Sequence, residues 1–307
     1  MSDEKQDIHH AIQPSPTGMA AVIGFFDGVH RGHLHLLSTL VGEARRRGLR
    51  PMAVTFLAPP RLVLHPDWRP QVLTTPEERR MLLLEGGMER VEMLNFTPEM
   101  AMLTAREFMQ QVLQERLGVQ LLVVGYDTRF GHDRVETPAD YRRYGQDMGM
   151  EVIEATCLEG YSSSRIRQMV GQGRVDEAAM LLGRPYRLAG LVERGQGNGH
   201  KIGFPTANMQ VGNTEKIIPA AGVYATRTRI DGGPWHRSMT DIGCRPTFHG
   251  DHLTVETHIL DFHSDIYGHL IEVEFYRWLR PERTFPSLEA LGEQLRQDAR
   301  DSATGTN

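Results

Sequence analysis

Residues 24–33 read GFFDGVHRGH, and what flanks them decides the fold. Before them, AAVIG (20–24) is a short apolar run ending in glycine. After them, Leu34, Leu37, Leu40, Val41 and Ala44 recur at helical spacing through HLHLLSTLVGEARRRG (33–48). The reading is strand, glycine turn, helix. His30 and His33 then stand at the carboxyl end of a strand, where the free N–H groups of a helix start favour an anion and Gly28 and Gly32 let it approach the backbone. Two other readings stand beside this one: a metal pair, although Asp27 with two histidines at this spacing is no recognised zinc pattern, or two solvated histidines next to a turn.

The same alternation continues down the chain. MAVTF (52–56) reads as a strand, PEERRMLLLEGG (76–87) as a helix opened by Pro76, VEMLNF (91–96) as a strand, and AREFMQQVLQERLG (105–118) as a helix stopped by Gly118. LLVVGY (121–126) is a buried type of strand, and a helix over 138–149 with the strand EVIEAT (151–156) completes the series. Strands alternating with helices predict a parallel sheet covered on both faces, with ligands at the carboxyl ends of its strands. Beyond about residue 183 the texture changes. Short β-rich runs (LAGLVERG, GVYATRTRI, LTVETHILDF, IEVEFYRWL) alternate with turns, and no long helix appears until about residue 287. That pattern predicts a small antiparallel barrel with a final helix, whose Leu288, Leu291 and Leu295 share one side. The expected organisation is a mobile tail over 1–17, a first domain over 18–183 and a second over 184–307.

Composition narrows the function. Hydrophobic residues make up 40% and charged residues 24% of 307 residues, the balance of a soluble globular protein. The N-terminal MSDEKQDIHH lacks the order of a secretory signal, and no apolar run reaches the length of a spanning helix, so a cytoplasmic protein without membrane contact is expected. Cys157 and Cys244 are too few for a disulfide framework. A formal charge of -5 argues against a general nucleic-acid binder, so any anionic ligand must be met by local basic groups.

Two further stretches carry chemistry. YSSSRIRQMV (161–170) has serines where a helix N-cap belongs, with Arg165 and Arg167 in the opening turns. Alone it reads as a capped helix, but cations at a helix start oppose the macrodipole and make sense with an anion between them. GQGNGHKIGFPTAN (195–208) is a glycine-rich loop ending in an extended Pro205-Thr206-Ala207-Asn208. It lacks the ending of a P-loop. A plain loop tip is one reading; the other is that the hydroxyl and amide oxygens suit Mg²⁺, which prefers oxygen ligands.

GFFDGVHRGH resembles the His-x-Gly-His signature of nucleotidyltransferases, and YSSSRIR resembles their Ser-Ser-x-x-Arg element. With VVGYDTRFG (123–131), the set is similar to the FAD synthetase module of bacterial bifunctional riboflavin kinase/FAD synthetases. GRPYRLAGLVERG, GFPTAN, GVYATRTRI, IGCRPTF, VETHILDF, DIYG and LRPERTFPSLEAL follow the order of the same family's riboflavin kinase module. The resemblance implies a Rossmann-like nucleotidyltransferase sheet followed by a riboflavin kinase-like barrel. It implies riboflavin, FMN and ATP as substrates, FAD as final product and Mg²⁺ as cofactor, and leaves self-association open. In the first domain it places Gly24, Phe26, Asp27, His30, His33, Ser163, Ser164 and Arg167 at ATP, with His30 and His33 catalytic and Asp127 and Arg184 on the flavin side. In the second it places Gly195, Gly199, Thr206 and Asn208 at ATP, Thr206 and Asn208 at the metal, and Glu256 as the base that activates the ribityl hydroxyl, with Asn208 also catalytic. Strand alternation alone leaves Glu256 open to a second reading, an outward surface carboxylate.

The chain departs from the family pattern at LAPP (57–60), where a Glu-Pro-His-Pro-like stretch is common, and at His200, where arginine often stands. Two alternatives follow: a riboflavin kinase whose first domain has lost adenylylation, and a flavin-binding protein without catalysis.

Overall fold

The structure, a computed structural model, describes residues 18–65, 67–194, 203–213, 215–247 and 250–303; the expected tail over 1–17 lies outside them. The chain forms two compact units. One comprises residues up to Phe25 with Leu36–Ala58 and Leu83–Cys157, the other Phe26–His35, Pro59–Leu82 and everything from Leu158 onward.

The first unit holds the parallel sheet. Its strands are β1 (Met19–Ile23), β2 (Arg50–Phe56), β3 (Arg90–Leu94), β4 (Val119–Val124) and β5 (Glu151–Glu154), in the order β3-β2-β1-β4-β5. All four pairings are parallel. The apolar runs seen in the sequence are what such strands need, because both faces of a parallel sheet are covered. Ala21, Ile23, Met52, Val54, Leu122 and Val124 share a core with Phe108, Met109, Leu113 and Tyr141 from the connecting helices. Numbering runs away from β1 in one direction and from β4 in the other, so the topological switch point lies between these neighbours, where ligands bind beyond the carboxyl ends.

The second unit contains a closed antiparallel barrel. Its strands are β6 (Tyr186–Glu193), β7 (Ala207–Val211), β8 (Gly222–Ile230), β9 (His236–Thr247), β10 (Gly250–Ile259) and β11 (Leu270–Arg280), arranged β10-β7-β6-β11-β8-β9. Alternation decides what faces in: Leu188, Val192, Ala207, Met209, Val255, Val273 and Phe275 fill the interior. The helices Ser163–Gly171 and Val175–Leu182 belong to this unit too, since Ile166, Met169, Val170, Val175, Ala178 and Leu182 share the barrel's core cluster. The final helix, Leu288–Ala303, packs on β8, β9 and β11. It is pinned by a buried forked ion pair in which Arg280 Nε and Nη2 lie 3.0 and 2.7 Å from the Asp298 oxygens, with Gln294 Nε2 donating to the same carboxylate.

Part of the barrel interior is polar. Thr226, Thr228, Ser238, Thr240 and Thr257 are fully buried, and their hydroxyls satisfy one another. Thr226 meets Ser238 at 2.8 Å and Thr240 at 2.9 Å, Thr228 meets Ser238 at 2.8 Å, and Thr240 meets Thr257 at 3.0 Å. Buried hydroxyls left unpaired are costly. Thr240→Val, which strips a hydroxyl from both Thr226 and Thr257, is expected to lower stability by about 1–3 kcal/mol, read as a reduced denaturant midpoint; an unchanged midpoint would show that the network contributes nothing.

Candidate active sites

The GFFDGVHRGH turn is backbone under tension. Phe26, Gly28 and Val29 all have positive φ, 54°, 80° and 38°, and a β-branched residue in that region is a genuine outlier, costing about 1–3 kcal/mol. The surroundings hold it there. Val29 N–H donates to Phe26 O at 3.0 Å, and the Arg184 guanidinium donates to the carbonyls of Gly28 at 2.5 Å and Val29 at 3.2 Å. Asp27, 2% exposed, accepts from the N–H groups of Leu73 (2.8 Å) and Thr74 (3.1 Å) and from the Thr74 hydroxyl, while Thr74 in turn accepts from Gly28 N–H at 3.0 Å. Residue 72 of the same segment forms a parallel bridge to Lys216, and buried Lys216 pairs with Glu78. A Cβ at Gly32 would lie 2.9 Å from the Cβ of Tyr161 and 3.2 Å from the His30 ring, so that position requires glycine.

The two histidines are stacked, ring centroids 3.6 Å apart and 14° from parallel. His30 Nδ1 accepts from the His33 N–H at 3.2 Å, so a neutral His30 carries its proton on Nε2. Burial holds the His33 imidazole well below its usual pKa, and the charges of His30 and Arg184 push the same way. His33 is therefore neutral at neutral pH. Its Nδ1 is buried without a hydrogen-bond partner among the described residues.

Ser163, Ser164 and Arg167 come together with Asp27. Ser163 Oγ donates to Asp27 O at 2.9 Å, Arg167 Nη1 lies 2.6 Å from Asp27 Oδ2, and Arg167 Nη2 donates to Ser164 Oγ at 3.0 Å. Ser162 caps the helix by accepting from Arg165 N–H. Asp27 thus ties the turn to Leu73, Thr74 and Arg167, and Arg184 clasps the turn's carbonyls. Gly24 N–H bonds Val54 O in the first unit, where Asp127 is exposed in the turn after β4.

The second constellation lies on the outer wall of the barrel. Ala207, Met209, Val255, Thr257, Thr240 and Ile242 face inward, so Asn208, Glu256 and Asp241 face outward. Register joins them in one row: Asn208 opposite Glu256, and Glu256 opposite Asp241. Glu256 faces outward from the barrel, yet its face is covered. Together with Phe285, Leu288, Leu291 and Leu295, Glu256 and Asp241 line a cavity of about 300 Å³. A second cavity, of about 410 Å³, is lined by Val192, Pro205, Ile259, Phe262, Ile266 and Tyr267. Thr206 borders both, its hydroxyl donating to Glu256 Oε2 at 3.2 Å. Gly195 and Gly199 lie outside the described residues.

Two residues of this site escaped the sequence reading. His258, two positions along β10 from Glu256 and so on the same face, lines the first cavity and places Nδ1 2.7 Å from Pro205 O. A carbonyl only accepts, so Nδ1 carries the proton; burial lowers the ring's pKa against the pull of that carbonyl and of Asp261. Period-2 counting from Glu256 would have found it. Asp241 is accessible through the cavity, but the walls displace enough water to push its carboxyl up to about 6, helped by Glu282 and, more weakly, by Glu256 and Asp298, and opposed by Arg280.

Thr206, Asn208 and the nearby carboxylate offer only oxygen donors, which fits a hard divalent cation. No cluster of three or more His, Cys, Asp or Glu side chains able to hold a metal exists among the described residues, so such an ion would take most of its ligands from phosphate and water.

A parallel-sheet unit, a glycine turn with a stacked histidine pair, and a barrel on which Glu256 meets a threonine hydroxyl bordering two cavities mark a nucleotide-dependent transferase. The FAD synthetase family model matches residues 12–167 and the riboflavin kinase model residues 182–304. The chain belongs to the bifunctional riboflavin kinase/FMN adenylyltransferase family. It is 38% identical to the enzyme of that description from Pseudomonas fluorescens (94% of this chain, 93% of that one) and 35% identical to the one from Escherichia coli K12 (95% and 94%). A crystal structure described as a macrolide-efflux protein from Streptococcus pneumoniae is also similar, at 32% identity and a TM-score of 0.88, covering 94% of this chain and 95% of that one. No described helix here is long and apolar enough to cross a membrane.

The raised Asp241 carboxyl has a consequence for stability. Because its folded pKa of about 6 exceeds the ordinary 3.8, folding favours the protonated form, and the group's contribution falls as pH rises from about 4 to 6. Asp241→Asn is expected to raise Tm relative to the native chain at pH 8 and to lose that advantage by pH 4; a constant difference across this range would contradict the assignment.

Proposed function

We propose that the barrel phosphorylates riboflavin with ATP to give FMN and that the histidine turn serves adenylylation of FMN with a second ATP, giving FAD and pyrophosphate. The observation that carries the kinase half is Thr206, which borders both cavities with its hydroxyl against Glu256: a donor phosphate and an acceptor hydroxyl can meet only where two binding spaces touch. The cavity under Phe285, Leu288, Leu291 and Leu295 suits the flat apolar flavin ring, and the one along Phe262 and Tyr267 suits the nucleotide. Glu256 accepts the proton of the ribityl hydroxyl as its oxygen attacks the γ-phosphorus and ADP leaves. Thr206 and Asn208 would hold Mg²⁺, which when bound neutralises phosphate charge.

Adenylyl transfer needs no base, because the attacking oxygen belongs to the already anionic phosphate of FMN. What it needs is stabilisation of charge on the α-phosphate. The stacked His30 and His33 rings, with the start of the helix at Arg31, would supply that stabilisation. In this reading Asp27 and Arg184 serve by holding the turn, while Ser163, Ser164 and Arg167 close its phosphate side; Asp127 keeps the flavin-binding role that the family resemblance implies. The domain boundary at 183/184, a cytoplasmic location and the absence of nucleic-acid partners remain part of the proposal. Matches to both modules do not favour a kinase-only or non-catalytic protein.

His33→Ala should cut FAD formation from supplied FMN by about 10²-fold or more while FMN formation from riboflavin stays near that of the native chain. Glu256→Gln should cut FMN formation by about 10²–10⁴-fold and leave adenylylation of supplied FMN intact. Parallel loss of both activities in either variant, measured by chromatography of the flavins, would contradict two separate sites.

A further inference from the structure

The β7–β10 ladder stops at the functional residues. Its register runs from Glu256 opposite Asn208 to Thr257 opposite Ala207, and the residues that would continue it on β7's side are Thr206 and Pro205. Proline has no N–H and cannot extend an antiparallel ladder. Thr206, which must stand between two cavities, thus sits where backbone pairing has ended. The His258 side chain takes over at that point. Its Nδ1–H donates to Pro205 O at 2.7 Å, and its ring packs against Phe204, centroids 5.1 Å apart. Glu256 and His258 are two apart on one strand, so a single rigid element presents the carboxylate to Thr206 and the imidazole to the residue before it.

We propose that His258 is a positioning residue of the kinase site: it anchors the Pro205 carbonyl and so keeps the Thr206 hydroxyl in register with Glu256 where the sheet no longer can. The proposal rests on the kinase reading above. It requires no change of charge on His258, only the Nδ1–H donor. Misplacement by about 1 Å at a phosphoryl-transfer site costs up to about 100-fold in rate.

The test uses the full chain with His258→Ala, His258→Phe and His258→Asn. Asparagine puts an N–H donor close to the place of Nδ1, whereas phenylalanine keeps a ring against Phe204 without a donor. Riboflavin phosphorylation is measured with riboflavin and MgATP varied separately, and FAD formation from supplied FMN reports on each folded chain. The expected result is a fall in kcat of about 10- to 100-fold and a raised KM for MgATP in the Ala and Phe variants, substantial recovery in the Asn variant, and unchanged FAD formation throughout. Should the Ala chain lose both activities, the comparison of Phe with Asn decides. A Phe variant with kcat within about twofold of the native chain, or an Asn variant as impaired as the Phe variant while FAD formation persists, would overturn the proposal. A native chain that makes no FMN would instead refute the kinase reading itself.

Discussion

The barrel site depends on the alternation of side chains across a β-strand. Packing demands Ala207, Met209, Val255, Thr257, Thr240 and Ile242 inside, and that demand alone puts Asn208, Glu256 and Asp241 in a row on the outer wall. An outward polar row is ordinarily just solvated surface. Here it is converted into a cavity by the helix Leu288–Ala303, whose leucines roof it and whose Asp298 is fixed to Arg280 at the end of β11. Breaking a buried pair of this kind leaves an uncompensated charge, so the roof is held more firmly than leucine packing alone would hold it.

The histidine turn solves a related problem by different means. Phe26, Gly28 and Val29 stand at positive φ, and the turn ties down its own N–H groups, Gly28 donating to Thr74 and Val29 to Phe26. That backbone is held by the side chains around it: Asp27 ties the turn to Leu73 and Thr74, and Arg184 clasps the carbonyls of Gly28 and Val29. Of the stacked pair His30 and His33, it is His33 that burial holds neutral.

Much of this was legible in the sequence, and the failures have physical reasons. AAVIG, MAVTF and LLVVGY are continuous apolar runs because both faces of their sheet are covered, so type and order of the elements could be read directly. β9 was not among the runs read as strands. In HRSMTDIGCRPT the inward positions include Ser238 and Thr240, hydroxyls that bond one another inside the barrel and so invert the usual pattern. The motifs marked Thr206, Asn208, Glu256 and both histidines. Their supports were invisible because each acts across a long stretch of chain: Leu73 and Thr74 on Asp27, Arg184 on Gly28, His258 on Pro205. Apart from His258, two positions from Glu256 on the same strand, nothing local distinguishes such residues from surface polar groups. The helices over 163–182 sit with the barrel core for the same reason, since Ile166 and Val170 face partners far away in sequence.

The central claim is that one chain carries two working transfer sites. It is tested most directly by incubating the purified native chain with riboflavin, ATP and a magnesium salt and separating the flavins over time. The account predicts that FMN rises first and then gives way to FAD, with pyrophosphate released in step with FAD. FMN accumulating with no FAD, or riboflavin left unchanged, would contradict it.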